Sequence, residues 1–293
     1  MRKALGSDPF MFAGLTDRSW LWIAAGFYLA GLVMGTISLL RGERQSKTSI
    51  NIIIVLGYVC QLVGLYARGR VVGGCPLGNS FEIFQFTAWS AITLYLVVGV
   101  TFRSSLLGYF TSCLAAVLTV TSLAIPAWDA TRRSKIFGGN PWIELHASLA
   151  LFSYGVFALL ALTALMLVLR HYSLKTKHIG GWFSFLPPIV DLDHISVRLL
   201  ITGVVMMTAS LIGGAVYWLR DLSSVDLTKI FITVGIWIAY CIALGLRLRG
   251  SLLAKRFAWT CLALFGAALI SLGPVDASRH PPALPQPANV VPR

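Results

Sequence analysis

The chain has 293 residues, of which 57% are hydrophobic and 12% charged, with a mean hydropathy of +0.77 and a formal net charge of +13. That balance excludes an ordinary water-soluble domain and places the chain in a lipid bilayer. Nor does the positive charge make a nucleic-acid footprint, because Lys and Arg fall in short clusters at the ends of apolar runs without a continuous basic face.

A spanning helix needs about 20 mostly apolar residues. Eight such runs follow one another at 19–40, 50–67, 81–102, 106–125, 142–169, 195–219, 228–247 and 256–273. The expected fold is therefore all-α, a polytopic integral membrane bundle of about eight transmembrane helices. It forms a single domain over 19–273, between an N-terminal tail (1–18) and a Pro-rich, disordered tail (274–293). The gaps at 126–141 and 170–194 are too short for a separate soluble domain. The first run starts too far into the chain and is too long for a signal-peptide core, so it reads as an uncleaved span. There is no heptad seam and no clear internal repeat of the kind transporters carry.

Basic residues also predict orientation. With the amino terminus outside, the inside loops and span ends hold 12 of the 24 Lys and Arg, from Arg41 through Arg256. Of the other 12, five lie in the two tails, so the loops near span ends favour both termini outside.

The stretch "GGCPLGNSFEIFQFTAWS" (73–90) opens the third run on polar residues. Gly73, Gly74 and Pro76 make a turn, Asn79 can cap a helix, and Glu82 can reach back in a variant of the capping box. The same helix puts Glu82, Gln85 and Trp89 on one face, carrying polar groups about two turns into the membrane, where such groups face a bundle interior or a wet cavity. The two roles are compatible.

A second polar helix start is "GGNPWIELHASLALFSYGVF" (138–157). Asn140 is a natural cap and Pro141 suits the first helical position, which leaves His146 about a turn and a half inside. Of the five histidines His146 alone lies inside an apolar span. Its imidazole can ligate iron, carry protons or bond across helices. His171, His178, His194 and His280 sit in connecting or tail segments and read as solvated or interfacial. Cys60, Cys113, Cys241 and Cys261 lie within spans and only Cys75 lies in a loop, so there is no CxxC pair and no disulfide framework. No HExxH, P-loop or Gly-x-Ser-x-Gly elbow is present.

Three blocks carry a family resemblance: "PLGNSFEIFQFTAWS", "WIELHASLALFSYGVF" and "LPPIVDLDHISVRLLITGVVMMTASLIGGAVYW". Together they resemble the cytochrome c assembly proteins of the CcsA and CcmC type, including their YpjD-like relatives. The resemblance implies a polytopic protein that presents heme at the outer face of a bacterial cytoplasmic membrane for attachment to apocytochrome c. Its cofactor would be heme b, and its partners a CcsB-type membrane protein and apocytochrome c, with no nucleic acid. As an enzyme it would be at most part of a heme attachment (cytochrome c synthetase) system. His146 matches the family's external axial iron ligand. Glu82, Gln85, Trp89, Trp142, Trp218 and Asp221 would line or support the pocket, and Arg68 and Arg70 could pair with heme propionates.

The chain also departs from the family pattern. Where a tryptophan-rich outer motif is expected, it offers "YWLRDLSSVD", with Tyr217, Trp218 and Asp221 as remnants. A histidine expected in the next span is replaced by Gly245, and only His280 stands near the exit of the last. The YpjD-like relatives also lack the tryptophan motif. A membrane scaffold or regulatory subunit that has lost heme chemistry is thus a second reading, and a transporter, favoured only by span number, a third.

Overall fold

A computed structural model describes residues 14–41, 47–99, 105–130, 140–177, 186–218 and 227–277. They form α1 (Asp17–Arg41), α2 (Lys47–Val72), α3 (Ser80–Gly99), α4 (Ser105–Ala124), a short 3-10 helix (Pro126–Asp129), α5 (Pro141–Lys175), α6 (Ile189–Trp218), α7 (Leu227–Leu248) and α8 (Ala254–Ala277). Among the described residues there is no strand. The protein is a polytopic helical membrane bundle. Helix α8 continues through Ala277, and the Pro-rich segment beyond it lies outside the described residues.

Several helices outrun the apolar stretches that announce them. Helix α2 carries on past Arg68 and Arg70 to Val72, because the Arg68 guanidinium is met by carboxylates inside the bundle. It stops at Gly73, whose φ of +72° lets its N–H reach back 2.9 Å to the Gly69 carbonyl. Helix α6 begins at Ile189, directly after Pro187 and Pro188, with Asp191 in its first turn complementing the helix dipole. Helix α5 has 35 residues, about 50 Å at the usual rise, and so is longer than the hydrocarbon core is thick.

The helices pack as two four-membered rings. In the first, α1 touches α2, α2 touches α3, α3 touches α4, and α4 returns to α1; α5, α6, α7 and α8 close a second ring in the same order. Contacts of α5 with α3, and fewer with α4, join the rings. Small residues allow the closest approach. A methyl group added at Gly155 of α5 would lie 1.8 Å from Ser90 Oγ and 2.9 Å from the Ala91 nitrogen on α3.

Seven of the eight α-helices are long and apolar enough to cross a membrane by length and composition; α3 is outside that set. Its interior place explains why. Glu82, Gln85, Thr87 and Ser90 are all buried, as are Phe81, Ala88, Ile92 and Tyr95, so these polar side chains of α3 are enclosed by protein and do not meet lipid.

The inter-ring contact yields a direct test. Gly155→Ala should lower stability by about 1–3 kcal/mol through overpacking, read as a lower thermal midpoint in detergent. Ser90→Gly in the same chain should recover part of the loss.

Candidate functional site

The turn before α3 forms around the residues expected to cap it. Asn79 Oδ1 accepts the Glu82 N–H at 2.9 Å, and Glu82 Oε2 accepts the Gly78 N–H at 2.6 Å. The reciprocal pair is a capping box shifted by one residue, since Glu82 reaches the residue before the cap. Its other oxygen faces inward, where Arg68 Nε donates to Oε1 at 2.6 Å.

Arg68 is fully buried. Its Nη1 donates to Asp17 Oδ2 at 3.0 Å, and its Nη2 donates to Asp129 Oδ1. Arg18 joins the cluster, donating to Asp129 Oδ2 at 3.1 Å and to the Leu123 carbonyl at 3.0 Å. The Phe81 ring lies beneath both guanidiniums, at 4.7 Å from Arg68 and 5.6 Å from Arg18. The Arg68 charge is thus already met by Asp17, Glu82 and Asp129, which corrects the expectation that it pairs with propionates.

Deeper in the same ring, a hydrogen-bonded line crosses all four helices. Tyr28 of α1 donates to Gln61 Oε1 of α2 at 2.9 Å, and Gln61 Nε2 donates to Gln85 Oε1 of α3 at 2.9 Å. Gln85 Nε2 then donates to Ser122 Oγ of α4 at 2.8 Å, and Ser122 closes the line onto the Thr119 carbonyl. Trp89, one turn further along α3, stacks on Tyr58 with centroids 6.0 Å apart and meets the Phe152 ring of α5 edge-on.

His146 lies elsewhere, in the second ring. Asn140 caps α5 by accepting the Trp142 N–H at 3.0 Å, with Pro141 at the first helical position. One and a half turns on, His146 Nδ1 sits 2.5 Å from the Ser210 carbonyl of α6. Ser210 Oγ donates to the His146 carbonyl at 2.9 Å and lies 3.1 Å from Nδ1. The imidazole opens onto a groove of about 560 Å³ between α5 and α6, walled by Trp142, Leu145, Leu149, Ile212 and Val216, with Gly213 opposite. Trp142 is 71% exposed, and the groove faces outward from the bundle.

The expected site residues therefore separate. His146 and Trp142 share the groove, whereas Glu82, Gln85 and Trp89 stand behind α5 in the first ring. The two groups communicate through the 73–79 turn, where Cys75 Sγ lies 3.3 Å from Ser148 Oγ and the Glu144 carboxylate covers Gly74. Burial pushes the Cys75 thiol up from its ordinary pKa, so it stays a neutral thiol at physiological pH. The side chain of Trp218, and Asp221 and His280 altogether, lie outside the described residues. Gly245, where the family pattern has a histidine, has open space beside it. Among the described residues no three His, Cys, Asp or Glu side chains gather in a metal-binding group. A single imidazole in an apolar groove does fit a heme held through one axial nitrogen.

Sequence reasoning missed Gln61 and Ser210. A lone Gln or Ser in an apolar run carries no periodic signal, and each is recognised only by the helix it meets.

The sequence profile of the cytochrome c assembly protein family matches residues 77–274. The chain belongs to that family. It is 27% identical over 194 residues to Protein HemX of Bacillus subtilis, covering 65% of this chain and 69% of that protein. With Inner membrane protein YpjD of Escherichia coli the identity is 22% over 250 residues, or 85% and 92% of the two chains. With Cytochrome c biogenesis protein CcsA of Microcystis aeruginosa it is 24% over 243 residues, or 67% and 72%. Within this cytochrome c assembly family member, the matched segment holds Glu82, Gln85 and His146, whereas Asp17, Tyr28, Gln61 and Arg68 precede it.

Truncating Arg68 should take the central cation from three carboxylates and leave only Arg18, on Asp129, among the cluster's cations. Arg68→Ala is expected to cost about 3–5 kcal/mol, seen as loss of monodisperse protein in detergent. Ser122→Ala, which removes one neutral acceptor, should cost about 1 kcal/mol and leave the protein folded.

Proposed function

We propose that the protein holds heme b at the outer side of a bacterial cytoplasmic membrane and presents it to apocytochrome c, with His146 as the axial iron ligand. The observation that carries this reading is the placement of His146 in an apolar groove beside Trp142 that opens outward from the bundle. Heme supplies the reactive vinyl groups and the redox-active iron. The chain's own work is binding and orientation. His146 gives the donor nitrogen, while Trp142, Leu149, Ile212 and Val216 cover an apolar ring and exclude water. Asn140 offers a polar group at the mouth. Trp89, against Phe152 of α5, and Glu82, which fixes the 73–79 turn, support the site from behind, while Gln85 holds α3 to α2 and α4. Trp218 and Asp221 would line or support the pocket as the family resemblance implies.

Among the described residues no Lys or Arg lines the groove, so propionates would point to the aqueous mouth, and a CcsB-type partner would supply further contacts. Both termini lie outside in this reading, because the inside ends of the helices carry most of the loop cations. A scaffold or regulatory role is the second reading, favoured by the similarity to YpjD along most of both chains.

Absorption spectra of protein purified after heme-replete expression separate the two. The heme reading expects a Soret band that His146→Ala weakens or shifts, and absence of any band sinks it. Gly213→Leu should also abolish the band while leaving the fold intact, because a Cβ there meets only the His146 Cβ, at 3.9 Å. Orientation is checked separately by a reporter fused in the turn at Ser251, which should be active only as a cytoplasmic reporter.

A further inference from the structure

We infer that Ser210 is a positioning residue that holds His146 as the neutral tautomer with its hydrogen on Nδ1, which puts the ring lone pair on Nε2. The consequence for heme rests on the function proposed above, but the tautomer does not.

Nδ1 of His146 faces two oxygens of Ser210, the carbonyl at 2.5 Å and the hydroxyl at 3.1 Å. The carbonyl is only an acceptor. The hydroxyl has one hydrogen, and it is directed to the His146 carbonyl at 2.9 Å, so the hydroxyl too turns a lone pair toward the ring. A bare lone pair on Nδ1 would bring three electron-rich atoms together in a place where Ser210 is only 2% exposed. A hydrogen on Nδ1 satisfies both oxygens at once. Nε2 then becomes the donor nitrogen.

Local packing makes this contact dependable. Ala209, Ser210 and Gly213 form a run of small residues on α6 beside His146. The Ser210 hydroxyl ties the His146 backbone while its carbonyl ties the ring, so one residue fixes both the height of the α5 turn and the rotation of the imidazole. A hydrogen bond from the distal nitrogen also makes a ligating imidazole a stronger donor, and loss of such partners typically costs about 10–100-fold in metal affinity.

The test begins without heme. In protein labelled with 15N-histidine, the His146 signals, assigned by their loss in His146→Ala, should show a protonated Nδ1 and a lone pair on Nε2. Ser210→Ala keeps the carbonyl, so the hydrogen should stay on Nδ1, but loss of the hydroxyl should loosen the ring and shift or broaden the His146 signals, and Ser210→Thr, which keeps the hydroxyl, should restore the wild-type pattern. In heme-loaded samples Ser210→Ala should weaken binding at least about tenfold and lower the iron–imidazole stretching frequency, with Ser210→Thr again close to wild type. A wild-type His146 protonated on Nε2 overturns the inference, whether or not Ser210→Ala folds; so does a Ser210→Ala spectrum identical to wild type. If Nδ1 carries the hydrogen and Ser210→Ala disturbs the His146 signals as expected while no variant takes up heme, the positioning role stands and the heme reading falls.

Discussion

The buried guanidinium of Arg68 is the constraint on which the end of the bundle that carries the 73–79 turn depends. A charge withdrawn from water is tolerable only if opposite charges and hydrogen-bond acceptors surround it. Here Asp17 comes from α1, Glu82 from α3 and Asp129 from the 3-10 helix, so a cation on α2 gathers four elements at one point. Glu82 is shared between this cluster and the capping of α3, which fixes the 73–79 turn. That turn in turn lies against Glu144 and Ser148 at the start of α5. The position of His146 is therefore set on one side by Ser210 and on the other, through α5, by a charge cluster in the neighbouring ring.

Helix α5 works as the wall common to both rings because its faces differ. Glu144, Ser148, Phe152 and Gly155 recur at helical spacing and meet the 73–90 stretch. Trp142, His146 and Leu149 follow the same spacing on another face and meet the groove with α6. The consequence is a division of polar groups. The first ring pairs its charged and amide side chains internally, through the Arg68 cluster and the line from Tyr28 to Ser122, and leaves only Trp89 Nε1 and Ser112 Oγ buried without a partner among its described residues. The groove of the second ring is apolar apart from its histidine and the capping Asn140.

Much of this was legible in the sequence. The eight helices, the cap at Asn140 and the double role of Glu82 follow from hydropathy, cap chemistry and helical periodicity, all local properties. Two kinds of information were not local. Arg68 reads as an interfacial cation because nothing nearby in the chain shows that Asp17 and Asp129, 51 and 61 residues away, will enclose it. Likewise Ser210 is 64 residues from His146, and a serine in a membrane helix is ordinary until its neighbour is known. The expectation that Glu82 and His146 share one polar pocket came from their common place at the outer ends of helices. The faces of α5 put them on opposite sides of it.

This separation decides which residues bear on function. The internally satisfied polar line would be required in lipid whether the protein handled heme or served as a scaffold, since unsatisfied polar groups are costly there in either case. It argues for the fold alone. Trp142 is also compatible with both, because an exposed tryptophan at a helix end suits a membrane interface. His146 is different. A groove that merely met lipid would gain nothing from an imidazole, and a simple interhelical bond would not need Ser210 to present both of its oxygens to one ring nitrogen. The features that bear on function therefore narrow to a single side chain, the serine that orients it and the small residues of α6 that leave space before it.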